Sequence, residues 1–380
     1  MNIVVIFTVS IIEDASIHSG IIRAGLMIIT IPVLMMSVYK ERVLYSIIIA
    51  LSYFLLLVIT NERIQPAMGI WVSVAISLLM YPVTYRYIYK KCHYNWIYNI
   101  SIILLLIIGV HFIFAQFFNI GRVPYRMNID IHTGWGDVHQ TFNIVYLLLF
   151  MPFLHYILNK GVSKIQIIIY FISLIPIILI FRRGAVLGLM LGFLVYIILT
   201  PYKGKLVLFL LGLFFIMVIS SPLYFDRLEI VLEQRPTDYS DFVETGRTLE
   251  FTWLADIYKN SDVSFILFGA ELFDYPNFAN VRRPLHTDYV TYLLGGGIIG
   301  FLLYLNIFIS IWIQFLRNIK NIKKTSLRRE LIALFAAITA ANIIISYSGQ
   351  YYVISSLTCL MMYYAMISRY AMEVSNNKIQ

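Results

Sequence analysis

Two adjacent arginines, Arg182 and Arg183, interrupt an otherwise apolar run from Ile165 to Leu199, and a second group, Arg247, Arg282 and Arg283, leads into His286. These residue types suit the capture of a phosphate and the uptake of a proton. A guanidinium makes forked, bidentate bonds to phosphate oxygens, whereas an ammonium acts as a point charge. Histidine titrates near neutrality, and neighbouring arginines push it towards the neutral form that accepts a proton. A charge at membrane depth costs at least about 2.5 kcal/mol on insertion scales, so a retained pair faces a cavity or a partner. The plainer reading makes Arg182 and Arg183 the turn of a helical hairpin, although Gly184 alone could turn the chain.

Arg247 lies in Glu244-Thr245-Gly246-Arg247-Thr248-Leu249-Glu250, at the start of a short amphipathic helix expected to run to about Tyr258. Phe251, Leu254 and Tyr258 share one face of that helix, suited to lying on a membrane. A helix N-terminus also favours anions, and a salt bridge to Glu244 or Glu250 is the structural alternative for Arg247. Pro284 suits a helix start, which puts His286 in the first turn of the next span, with Asp288 and Tyr289 beside it. A separate polar stretch, Asp130 to Gln140, reads as a substrate-lining loop or as an ordered connector. There Trp135 could stack on a sugar face, and Asp137, His139 and Gln140 could hold hydroxyls. His132, His139 and His286 form no HxxxH or HExxH pair, so no metal is expected. Serine-nucleophile, P-loop and dinucleotide signatures are absent, and no cofactor is expected.

The elements that must position these residues are membrane helices. The chain has 380 residues, 60% hydrophobic and 13% charged, with a mean hydropathy of +0.80, outside the range of soluble globular proteins. The net charge of +9 records orientation and lipid contact in such a chain, and nothing points to nucleic acid. Cys92, read as lying in a loop, and Cys359, in an apolar run, form neither a disulfide framework nor a metal motif. Apolar runs at 20–39, 43–60, 67–88, 98–118, 138–158, 165–181, 184–200, 205–223, 287–315, 331–346 and 350–368 are long enough to span a bilayer. With residues 1–12 as a short first span, the expectation is an all-α, polytopic protein of 11–12 transmembrane helices. Pro32, Pro82, Pro152 and Pro176 fall inside these runs as ordinary membrane-helix prolines.

Basic residues recur in every second loop: Lys40 and Arg42; Arg86, Lys90 and Lys91; Lys160 and Lys164; Lys203 and Lys205; and Arg317 to Arg329. Positive charge stays on the cytoplasmic side, so the loops at 119–137 and 224–286 face outward. The organisation is then N-terminal helices over 1–223, one large outer loop over 224–286, and C-terminal helices with a cytoplasmic tail over 287–380. The arginines of the two groups fall on the side this rule depletes of basic charge, and an outward-facing phosphate ligand accounts for them.

In order along the chain, Gly134 to Gln140, Arg182-Arg183-Gly184-Ala185-Val186-Leu187, Gly246-Arg247 with Trp253, Phe268-Gly269, His286-Thr287-Asp288 and Gly296-Gly297-Ile298-Ile299-Gly300 resemble the motifs of the O-antigen polymerase and ligase superfamily. Phe181 and Thr287 depart from that pattern, standing where the family often has Ser and Asn; His139 stands near an expected Asn. The resemblance implies a GT-C-like, metal-independent glycosyltransferase of the bacterial inner membrane. It would act at the outer face on undecaprenyl-diphosphate-linked oligosaccharides as donor and acceptor. It also implies that Arg182, Arg183 and Arg247, with Arg282 or Arg283, clamp the diphosphate, and that His286 deprotonates the acceptor hydroxyl. The short chain, rich in tyrosine, favours the polymerase over the ligase, and leaves open a chain-length regulator as partner. A lipid-linked glycan flippase would also want an arginine-lined cavity but predicts two symmetric halves.

Overall fold

A computed structural model of the protein describes residues 42–88, 90–118, 140–179, 183–201, 246–273, 285, 287–347 and 354–376. The described residues form helices and no strands: α1 (Arg42–Ile59), α2 (Ile64–Tyr87), α3 (Lys91–Phe118), α4 (Gln140–Leu158), α5 (Lys164–Leu179), α6 (Arg183–Leu199), α7 (Gly246–Asn260), α8 (Val263–Phe268), α9 (Asp288–Lys320), α10 (Thr325–Tyr347) and α11 (Ile354–Ser375). Six of these, α1 to α4, α9 and α10, are long and apolar enough to cross a membrane, and α5 and α6 are shorter apolar helices. The expected spans at 20–39 and 205–223, the short first span, and Pro32 lie outside the described residues.

In lipid every backbone polar group must be satisfied within the segment, which is why the apolar runs become helices. Pro82, Pro152 and Pro176 are accommodated inside α2, α4 and α5. The peripheral spans separate into a packed face and an outer one. On α1, Val43, Ile47, Ala50 and Phe54 are buried, while Tyr45, Ile48, Ile49 and Leu56 are exposed. An outer apolar surface of this extent suits hydrocarbon and not water. α4 is enclosed almost completely, with Phe142, Val145, Tyr146, Phe150 and Phe153 all buried. It packs among α3, α5, α6, α10 and α11.

Several boundaries differ from the expectation. α3 begins at Lys91 rather than at residue 98, so Cys92 is helical and not in a loop. α10 begins at Thr325, six residues before the apolar run at 331, because Leu327 and Glu330 pack inward and carry the helix on. α9 extends to Lys320 and is not one continuous helix: Gly297 sits at φ 62°, ψ −172°, which breaks it into two halves.

Interhelical hydrogen bonds fix which ends lie together. Ser46 of α1 meets Ser310 of α9 at 2.8 Å, and Asn318 of α9 donates to Tyr85 of α2 and Ser368 of α11. Tyr94 of α3 donates to the Met366 carbonyl of α11, Lys160 donates to Asn95, and Tyr196 of α6 and Thr200 just after it both donate to Glu330 of α10. These contacts gather Arg42, Arg86, Lys90, Lys91, Lys160, Lys164, Arg317, Lys320, Arg328 and Arg369 at one end of the bundle.

Candidate functional site

The opposite end collects the starts of α4, α6, α7 and α9. α6 runs antiparallel to α10: Gly188 lies against Ala341 and Ile345, Gly192 against Ala337, and Tyr196 meets Glu330. That register carries Arg183, the first residue of α6, level with Tyr347, the last of α10. Tyr146 of α4 donates to Asn342 of α10 at 3.1 Å, so Gln140 at the start of α4 lies at the same end. Phe251 of α7 stacks on Tyr347, with ring centroids 5.9 Å apart.

α7 realises the predicted amphipathic helix, from Gly246 to Asn260. The apolar face expected to suit a membrane surface packs partly against other helices. Leu254 is buried, Phe251 packs on α10, and Tyr258 donates to the Leu293 carbonyl of α9 at 2.5 Å. The face is covered in part by protein because the broken helix α9 offers carbonyls for its hydroxyl to cap. Burial pushes the Tyr258 hydroxyl up to about 12.

One turn after Arg247, Glu250 is fully buried. Its carboxylate accepts the backbone N–H of Thr287 at 3.0 Å. Thr287 is the N-cap of α9, in an extended conformation, and its own side chain makes no cap bond. Its hydroxyl is buried without a partner. The first turn of α9 therefore starts at Asp288, not before His286, because Thr287 has extended rather than helical backbone angles (φ −106°, ψ 123°). Asp288 is itself 1% exposed and lies within electrostatic reach of Tyr289, Tyr292 and Tyr304. Two buried carboxylates at one junction cost several kcal/mol each unless matched by positive charge and donors. The helix start at Asp288 supplies part of that.

Behind this junction the break in α9 is stitched closed. A helix interrupted in mid-bundle leaves carbonyls without intrahelical partners. Leu293 receives Tyr258, Leu294 receives the N–H of Ala270, and Gly296 receives the Tyr53 hydroxyl at 3.0 Å, which also reaches the Phe268 carbonyl at 2.9 Å. Asn61 holds the same loop by donating to the Leu272 carbonyl at 2.7 Å. Gly269 (φ 66°) and Gly297 (φ 62°) meet backbone to backbone: a Cβ on Gly269 would stand 2.4 Å from the Gly297 nitrogen. Only glycine occupies such a conformation at such a distance.

The predicted site residues divide accordingly. Arg183, Arg247 and Gln140 are placed by backbone in the first turns of α6, α7 and α4. Arg182, Arg282, Arg283, His286, Trp135, Asp137 and His139 lie outside the described residues. Asp288 and Tyr289 are both described: Asp288 is enclosed, and Tyr289 donates to the Ile343 carbonyl, tying α9 to α10. Glu250, Tyr53 and Tyr258 carry no functional role by motif or spacing, and Gly269 enters only through the Phe268-Gly269 element. Glu250 had one signal, a carboxylate one turn from Leu254 on the apolar side of an amphipathic helix. Tyr53 had none, being one of 28 tyrosines. Among the described residues no group of three or more His, Cys, Asp or Glu could hold a metal ion. The sequence matches no protein-family model and no curated protein.

Proposed function

We propose that the chain is a membrane glycosyltransferase of the polymerase type. It transfers an undecaprenyl-diphosphate-linked glycan onto the acceptor sugar of another lipid-linked repeat unit. The observation that carries the reading is the convergence of segments far apart in sequence. The starts of α6 (Arg183), α7 (Arg247) and α9, which follows His286 in the chain, meet at the end of the bundle opposite the basic loops. By the positive-inside rule the basic end is cytoplasmic, so the convergence faces outward, where lipid-linked glycans are joined.

The chemistry follows from the residue types. Arg182, Arg183 and Arg247, with Arg282 or Arg283, hold the diphosphate and stabilise the charge that grows on it as the sugar departs. The acceptor hydroxyl oxygen attacks the anomeric carbon, the bond from that carbon to the diphosphate oxygen breaks, and His286 takes the hydroxyl proton. Undecaprenyl diphosphate leaves with the bonding electrons.

The test is a surface-glycan gel from a host lacking the gene, carrying the wild-type gene, no gene, or the His286→Ala variant. The expected result is a ladder with wild type only, and a core bearing a single repeat unit in the other two. Bare core with accumulated lipid-linked polymer would replace the polymerase by a ligase. Intact product formation with failed export in the variant would remove the enzymatic reading.

A further inference from the structure

We infer that Glu250 is a positioning residue for this reaction, setting the diphosphate-binding helix α7 in register with the base-bearing entrance to α9. The inference rests on the proposed function and adds a residue that neither the motifs nor the resemblance selected. Glu250 lies three residues after Arg247, so it and Arg247 are one turn apart on a single rigid helix. Its carboxylate accepts the N–H of Thr287 at 3.0 Å, and Thr287 is bonded covalently to His286. One side chain therefore joins the element that carries a clamp arginine to the residue that follows the base.

The energetics explain why the link is rigid. Glu250 and Thr287 are both fully buried, and removing the acceptor would leave a buried N–H unsatisfied at its full desolvation penalty. Thr287 does not cap its own helix, since its hydroxyl hydrogen-bonds nothing. Glu250 instead takes the backbone N–H of Thr287, the donor that a capping-box Glu three residues into the helix would otherwise accept. Tyr258 to Leu293 and Phe251 on Tyr347 tie α7 to α9 and α10 as well, and the Glu250 bond is the one that reaches the residue entering α9. Misplacing reacting groups by about 1 Å costs on the order of 100-fold in rate, so loss of this tie falls on turnover more than on binding.

The experiment uses the full chain in nanodiscs with the host's own lipid-linked repeat, comparing wild type with Glu250→Ala, Glu250→Asp, Glu250→Gln and His286→Ala. Initial rates give kcat and KM, and amide hydrogen exchange reads the N–H of Thr287. Glu250→Ala is expected to lower kcat about 30-fold, the kinetic equivalent of leaving one buried N–H without an acceptor, with KM changed less than about threefold. Thr287 should lose exchange protection in parallel. Glu250→Gln keeps an acceptor oxygen at the same reach and should stay within about threefold of wild type, whereas Glu250→Asp withdraws the acceptor and should not. If Glu250→Ala fails to fold, the Gln and Asp pair decides the point. The inference is overturned if Glu250→Ala or Glu250→Asp turns over normally, if KM rises while kcat holds, or if Gln is as damaging as Asp. Full activity in His286→Ala would sink the reaction reading instead, and the exchange data would still report on the Glu250–Thr287 bond.

Discussion

Replacing Gly297 by alanine tests whether the break in α9 is built into the fold. At φ 62°, ψ −172° the residue occupies a region that side chains other than glycine enter at about 1–3 kcal/mol. The added Cβ would stand 2.4 Å from the Leu267 carbonyl oxygen and 2.5 Å from the Gly269 nitrogen. Both are backbone atoms, so no flexible side chain can yield, and overpacking of this kind adds about 1–3 kcal/mol. The expected loss is about 2–6 kcal/mol, a large part of the stability that a folded protein has. Gly296 is the control one residue away. A Cβ there meets only the Phe301 nitrogen, at 4.0 Å, and alanine gains up to about 1 kcal/mol of helix propensity. Thermal unfolding of purified Gly296→Ala and Gly297→Ala, followed by loss of the monodisperse peak on size-exclusion chromatography, should separate the two on opposite sides of wild type. Equal melting of the two variants would refute the reasoning, since α9 would then be free to straighten through Gly297.

Tyr53→Phe removes the one hydroxyl proton that the Gly296 and Phe268 carbonyls share and should cost about 0.5–1.5 kcal/mol in the same unfolding assay. Thr287→Val replaces a buried hydroxyl without a partner by a methyl group and should raise stability by about 1 kcal/mol. Arg247→Ala should abolish the glycan ladder and Arg247→Lys should restore little of it, because an ammonium lacks the fork; a full ladder with lysine would remove bidentate diphosphate binding. Tyr258 titrates in the folded chain at about 12 against about 10 when unfolded, so the folded state holds its proton more tightly. Its advantage over Tyr258→Phe should be complete below pH 10 and shrink as pH rises from about 10 towards 12, read as the difference in unfolding midpoint.

Much of the bundle was legible because lipid leaves the backbone few options. An apolar run of bilayer length has to be a helix, and α1, α2, α4, α5 and α6 begin within three residues of the expected positions and end within two. The break in α9 was not legible. The triple glycine Gly295-Gly296-Gly297 was visible, but its conformation depends on Gly269, 28 residues earlier in the chain, and on Tyr53 in α1. Periodicity carries no information about such a meeting. The same limit explains Glu250. Next to Arg247 it reads as half of a local salt bridge, whereas its bond to Thr287 crosses 37 positions of sequence.

These two long-range features have a common consequence for the site. The half of α9 between Thr287 and Gly296 is a short helix held at both ends by other elements. Glu250 takes its first N–H, and Tyr53, Tyr258 and Ala270 take its last carbonyls. A helix of about nine residues is marginal on its own, so its placement comes from these end ties rather than from propensity. The chain entering it carries His286. In the proposed reaction His286 is the base, so substitutions on α1, α7 and the loop after α8 that displace the start of this half-helix should lower turnover. Under this reasoning Tyr53→Phe and Glu250→Asp act on opposite ends of one element. Their effects on kcat should therefore be non-additive when combined; strict additivity would mean that the half-helix does not move as a unit.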